Sequence, residues 1–205
     1  MEFIDKYLTE AGETLARLDR SAIKRLLSLL VEARARGARV FFLGVGGSAA
    51  NASHAVNDFR KLADMEAYAP TDNVAELTAR TNDEGWESTF VEWLRVSRLR
   101  SSDVVFVLSV GGGSAERNVS ANLVKAIDYA KSVGASVCGI VGRDGGYTAS
   151  RADVCVVIPP VNEAMVTPHA EAFQAVLWHL LISHPGLARN TTKWESLTGH
   201  PGVAP

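Results

Sequence analysis

The chain has 205 residues and a formal net charge of −2, and 47% of its residues are hydrophobic, 21% charged and 7% aromatic. A chain of this size and composition fills a globular α/β core without a disulfide framework or structural metal. The near-neutral balance excludes bulk electrostatic attraction to nucleic acid or an anionic membrane, and no apolar run reaches the ~20 residues of a membrane-spanning helix.

The opening stretch, MEFIDKYLTEAGETLARLDR, is amphipathic and of mixed charge, without the apolar core of a signal peptide. Apolar residues at three- and four-residue spacings (Phe3, Ile4, Tyr7, Leu8, then Leu26, Leu27, Leu30) predict one long helix or a helical pair over residues 1–37. Gly37 stands where a C-cap is expected. Beyond it the pattern changes to short apolar runs followed by Gly-rich turns and helices. RVFFL (39–43) reads as a strand, GVGGS as a turn, and 49–62 as a helix. A weaker strand lies near 66–69. VVFVL (104–108) reads as a strand, SVGGGS as a turn, and 115–132 as a helix. SVCGIV (136–141) and DVCVVI (153–158) read as two more buried strands. Arg143-Asp144-Gly145-Gly146 reads as a turn and helix start, and Pro168 and His169 mark the start of a last long helix running to 182. The tail, 185–205, is rich in Gly, Pro, Thr and Asn and reads as extended or docked on a neighbour.

Continuous apolar strands alternating with helices predict a parallel sheet covered on both faces, in a single domain spanning 1–205. Cys138 and Cys155 sit in apolar runs and form no C-x-x-C pair, which fits a reduced, cytoplasmic protein.

Ligands of a parallel sheet bind beyond the carboxyl ends of its strands. Two turns there carry the chemistry of anion binding: Gly44-Val45-Gly46-Gly47-Ser48 and Ser109-Val110-Gly111-Gly112-Gly113-Ser114. Glycines let backbone N–H groups approach a ligand, and the helix that follows adds its dipole. Either turn alone could be only a tight strand-to-helix connection; two at equivalent strand ends favour a phosphate pocket. Gly44-x-Gly46-x-x-Ala49 also fits a dinucleotide fingerprint, but the acidic residue that should end the next strand is poorly matched by Glu66 or Asp72. Neither turn has the lysine of a P-loop.

His54 and Asp58 are four apart on the predicted helix after the first turn, and so share a face. Glu171 and His179 are eight apart on the last helix, nearly on one face and about 12 Å apart. Singly, each is more often a surface or core residue than a ligand. Together, two imidazoles and two carboxylates suit Zn or a similar divalent ion, or supply an acid and a base. Asn82-Asp83-x-Gly85 has turn chemistry that accounts for it structurally, and Trp86, Trp93 and Trp178 fit helix packing.

GVGGSAANASH, TNDEGW, LSVGGGSAERN, GIVGRDGG and PHAEAFQAVLWH occur in the order found in sugar isomerase (SIS) domain proteins. Within that superfamily the chain, over residues 1–183, is similar to the phosphoheptose isomerases. The resemblance implies a three-layer α/β/α fold with a five-stranded parallel sheet of flavodoxin-like topology. It further implies a homotetramer with sites at subunit interfaces, and interconversion of sedoheptulose 7-phosphate and D-glycero-D-manno-heptose 7-phosphate, often with bound zinc. By position it implies that Val45, Gly46, Gly47 and Ser48 line the sugar and that Asn82 and Asp83 form a substrate pair. Ser109, Val110, Gly111 and Ser114 would hold phosphate. His54, Asp58, Glu171 and His179 would hold the metal, with Asp58, His179 and Glu171 as the catalytic candidates and Glu171 also touching substrate. Two hydroxyl positions of the family's phosphate loop are lost here, Asp58 stands for Glu, and Glu171 for Gln. The expected reaction is aldose–ketose isomerisation through an ene-diol; the alternative is a non-catalytic SIS module that binds a phosphosugar or a protein partner.

Overall fold

Asp19 divides the leading segment in two. Its carboxylate accepts from the N–H groups of Ser21 and Ala22 at 2.8 and 3.1 Å, capping a second helix. The first residues therefore form a pair, α1 (Glu2–Arg17) and α2 (Arg20–Ala35). Gly37, at φ +67°, ends α2 as expected. The structure is a computed structural model and describes residues 2–197.

Five parallel strands follow: β1 (Val40–Leu43), β2 (Ala67–Tyr68), β3 (Val104–Ser109), β4 (Ser136–Val141) and β5 (Val154–Val157). Their order is β2-β1-β3-β4-β5, the flavodoxin-like order. Strand residues alternate between two cores. Phe42, Phe106, Leu108 and Ile140 pack with α2, α3 (Gly47–Ala63) and α8 (Val166–Ser183). Phe41, Leu43, Val105 and Val107 pack with α5 (Thr89–Val96) and α6 (Ala121–Ser132). Burial on both faces explains why these strands read as unbroken apolar runs. The remaining helices are α4 (Val74–Glu84), α7 (Gly146–Arg151) and α9 (Lys193–Leu197).

Three boundaries differ from expectation. The helix expected from Ala115 begins at Ala121, because Ser114 and Val119 exchange backbone hydrogen bonds at 2.9 and 3.1 Å and hold 115–118 out as a lobe. α8 begins at Val166, ahead of Pro168, which sits in the first turn where its missing N–H has no intrahelical partner to lose. The tail is docked in part: Leu187 is buried, and the N–H groups of Arg189 and Asn190 donate to the Leu62 carbonyl at the end of α3. The rest of the expected tail, 198–205, lies outside the described residues.

Candidate active site

The sheet order reverses between β1 and β3, and the two glycine turns follow these two strands. That crevice is where an open α/β sheet gathers ligand-binding backbone. In the first turn Gly46 takes φ +63° and α3 begins at Gly47, earlier than the expected Ala49. Val45 is partly exposed at the turn, whereas Ser48 faces inward, its hydroxyl accepting from Gln174 of α8 at 3.1 Å. Gln174 in turn accepts from Asn51 at 2.9 Å, so a buried polar bridge ties α8 to the first turns of α3. Gln174 interrupts an otherwise apolar helix face, and that break in the pattern is the signal that could have found it.

The second turn is held from behind. Thr148 N–H and Oγ1 both donate to the Gly112 carbonyl, at 2.9 and 2.7 Å, and Tyr147 N–H donates to Gly113. A Cβ at Gly112 would fall 2.0 Å from the Gly145 oxygen, and one at Gly146 2.2 Å from the Gly111 oxygen. The Arg143–Gly146 segment, read as a simple turn, is thus also the second half of a glycine-on-glycine contact. Ser109 is buried and its Oγ accepts from Gly112 N–H; the Ser114 Oγ accepts from Arg117 N–H. Asn82 and Asp83 lie exposed on the last turn of α4, bonded to each other at 2.7 Å.

His54, Asp58 and His179 converge between α3 and α8, with one ligand atom from each lying within 4.8 Å of the others. Asp58 Oδ2 is 4.0 Å from His54 Nε2 and 3.7 Å from His179 Nε2. Asn57 Nδ2 donates to the other Asp58 oxygen at 2.8 Å, which fixes the carboxylate. His179 Nδ1 lies 2.8 Å from the Ala175 carbonyl; this assigns the proton to Nδ1 and leaves Nε2 open toward Asp58. The buried Trp178 ring touches both imidazoles, with centroids 4.6 Å from His54 and 3.5 Å from His179. Trp178 is therefore the floor of the cluster as well as a packing residue.

Glu171 does not belong to this trio. Its carboxylate lies against the first glycine turn, where a Cβ at Gly47 would come within 2.5 Å of it. The same end of α8 carries His169, which the sequence reading used only as a helix marker. It is buried, 3.1 Å from Glu10 of α1, and stacked on Tyr7. Two nitrogens and one oxygen brought this close form a donor set that suits a divalent ion.

A parallel α/β sheet of this order, with Gly/Ser turns at its switch point, is a ligand-binding architecture. The chain belongs to the SIS domain family, whose model matches residues 6–142, and resembles the phosphoheptose isomerases within it. It is 32% identical to phosphoheptose isomerase of Rhodospirillum rubrum over 78% of this chain and 82% of that one. It is 33% identical to the lincomycin biosynthesis protein LmbN of Streptomyces lincolnensis over 85% of this chain, which spans 65% of that relative. Among solved structures, phosphoheptose isomerase GmhA from Neisseria gonorrhoeae shares the fold, with a TM-score of 0.77 at 24% identity, over 88% of this chain and 95% of that one.

Proposed function

We propose that the protein is an aldose–ketose isomerase of phosphosugars, converting sedoheptulose 7-phosphate to D-glycero-D-manno-heptose 7-phosphate. The observation that carries the reading is the convergence of His54, Asp58 and His179 between α3 and α8. A module that only senses a phosphosugar has no use for such a set.

The phosphate binds at the Ser109–Ser114 turn, through backbone N–H groups and the two hydroxyls, which fixes the far end of the open-chain sugar. The sugar passes Val45, Gly46, Gly47 and Glu171, and Asn82 and Asp83 complete the substrate contacts. Asp58 removes a proton from the carbon next to the carbonyl, and the electron pair forms the double bond of the ene-diol while the carbonyl oxygen takes up a proton. Without a bound metal, His179 Nε2 accepts the proton of one sugar oxygen and returns it to the other; with a divalent ion bound, that nitrogen would be a ligand instead. Reprotonation of the former carbonyl carbon then yields the aldose. A divalent ion such as zinc would be held by His54, Asp58 and His179 and would supply Lewis-acid stabilisation of the negative charge that develops on oxygen. With Glu171 outside the trio, its role is to contact the sugar at the turn. Asp58 rather than Glu171 is then the base.

The assembly we infer is a homotetramer with shared sites. Its support is the apolar surface of α1, where Phe3, Ile4, Leu8 and Leu15 are exposed within the single chain. Two free thiols, with burial pushing Cys155 up to about 12, suit a reducing cytoplasm. The test of the function is direct: a panel of ketose phosphates is incubated with the protein and aldose formation followed. The reading expects a heptose 7-phosphate to react best, and Asp58→Asn to abolish turnover.

A further inference from the structure

Against the second glycine turn lies a pocket of about 410 Å³, lined by Gly111, Gly113, Ser114, Arg117, Arg143 and Gly146 among others. That volume lies within the range of small-molecule sites. Glu116 and Asp144 line the same pocket, yet neither arginine lies within ion-pair distance of a carboxylate among the described residues. Asp144 is otherwise engaged, accepting from Gly146 N–H at 3.1 Å.

Both arginines are placed by backbone devices. The Arg143 stem crosses the turn, its Cδ 3.5 Å from where a Gly111 Cβ would stand. Arg143 itself takes φ +53°, a conformation in which a long side chain is strained and glycine is at ease. The strain is held by Gly142 N–H donating to Ser109 and Gly145 N–H donating to Gly142. Arg117 projects from the lobe pinned by the Ser114–Val119 pair, with Asn118 and Ser120 also at positive φ. Backbone strain of this kind concentrates at ligand sites.

We propose that Arg117 and Arg143 clamp the phosphate of the sugar substrate from this side of the turn, supplying the donors that Gly111 and its glycine neighbours lack. The proposal rests on the reading of the protein as a phosphosugar isomerase. A guanidinium presents paired N–H donors that match two phosphate oxygens. With two arginines and two carboxylates the pocket has no net charge, so fork geometry rather than bulk field selects the ligand.

Arg143→Gly is the informative variant, because it relieves the positive φ while removing the guanidinium; Arg143→Lys and Arg117→Ala accompany it. Each is measured for KM and kcat with sedoheptulose 7-phosphate, for inhibition by inorganic phosphate, and for calorimetric binding of phosphate alone. The clamp predicts that KM and the phosphate inhibition constant both rise roughly tenfold to a hundredfold in Arg143→Gly and Arg143→Lys, with kcat less affected and the melting temperature of Arg143→Gly unchanged or higher. Unchanged constants in all three variants overturn it. A weakened phosphate inhibition with unchanged KM also overturns it, since the arginines would then hold an anion elsewhere than on the substrate. Failure of the isomerase reading looks different: wild type turns over no phosphosugar, while phosphate still binds and Arg143→Gly loses it.

Discussion

Glu171 on α8 holds its carboxylate against Gly47 at the start of α3, in space that a Cβ at that glycine would enter at 2.5 Å. The contact separates Glu171 from Asp58, which faces His54 and His179 further along the helices. Glu171→Gln should therefore retain turnover within about tenfold, because the amide keeps the shape and a hydrogen-bonding oxygen, whereas Asp58→Asn should lose two orders of magnitude or more, roughly the worth of a general base. Loss of turnover in Glu171→Gln with metal content intact would make Glu171 the base. Gly47→Ala displaces the Glu171 carboxylate and should raise KM more than it lowers kcat.

Metal content follows from the trio. Protein purified without chelator should carry close to one zinc per chain by elemental analysis, and His54→Ala or His179→Ala should lose most of it. Absence of metal in the unaltered protein, with no response to added zinc, removes the metal from the account and leaves Asp58 and His179 as an acid–base pair.

Arg39 and Asp103 tie the edge of β1 to the loop before β3. Asp103 is buried and accepts from Arg39 Nη2 at 2.6 Å and from Arg100 N–H at 2.9 Å, and the carboxylate raises the Arg39 pKa. Asp103→Ala leaves the Arg39 guanidinium with only the Ser97 and Arg98 carbonyls as acceptors and should cost about 1–3 kcal/mol in urea unfolding. A loss below about 1 kcal/mol would mean that water replaces the carboxylate.

Glu10 links α1 to α8. The hydrogen bond from His169 is the main cause that holds its carboxyl below the usual 4.5, against a smaller opposing effect of desolvation. A depressed folded-state pKa gives stability that is present above the unfolded value and lost as pH falls through the folded one. Amide exchange in α1 should therefore accelerate below about pH 4.5, relative to α6, and Glu10→Gln should remove that pH dependence. Exchange in α1 that tracks α6 at every pH contradicts the linkage.

The strands and both glycine turns were legible because doubly buried parallel strands leave continuous apolar runs, and because tight backbone contact demands glycine. His54 and Asp58 were legible from helical spacing, and His179 from its place on the last helix. Glu171 stands outside that group: eight residues return a side chain to nearly the same face but about 12 Å along the axis, and its carboxylate turns to Gly47. The helix expected from Ala115 failed because Ala-Glu-Arg has helical propensity and nothing local reports the Ser114–Val119 pairing. The partners of His169 and Gln174, Glu10 and Ser48, are 159 and 126 residues away, beyond the reach of any local pattern.

The exposed apolar residues of α1 call for a covering surface. Light scattering should report a tetramer, and Phe3→Glu with Leu8→Glu should shift it toward smaller species and lower activity if sites are shared. A stable, active monomer contradicts both the assembly and the shared site.

The most direct test of the central claim is the rate at which purified protein converts sedoheptulose 7-phosphate to its aldose, compared with Asp58→Asn and His179→Ala under the same conditions. The account predicts steady aldose formation by the unaltered protein and its near-complete loss in both variants, with binding of the sugar phosphate retained. No aldose from the unaltered protein in the presence of zinc, or equal rates in all three, would contradict it.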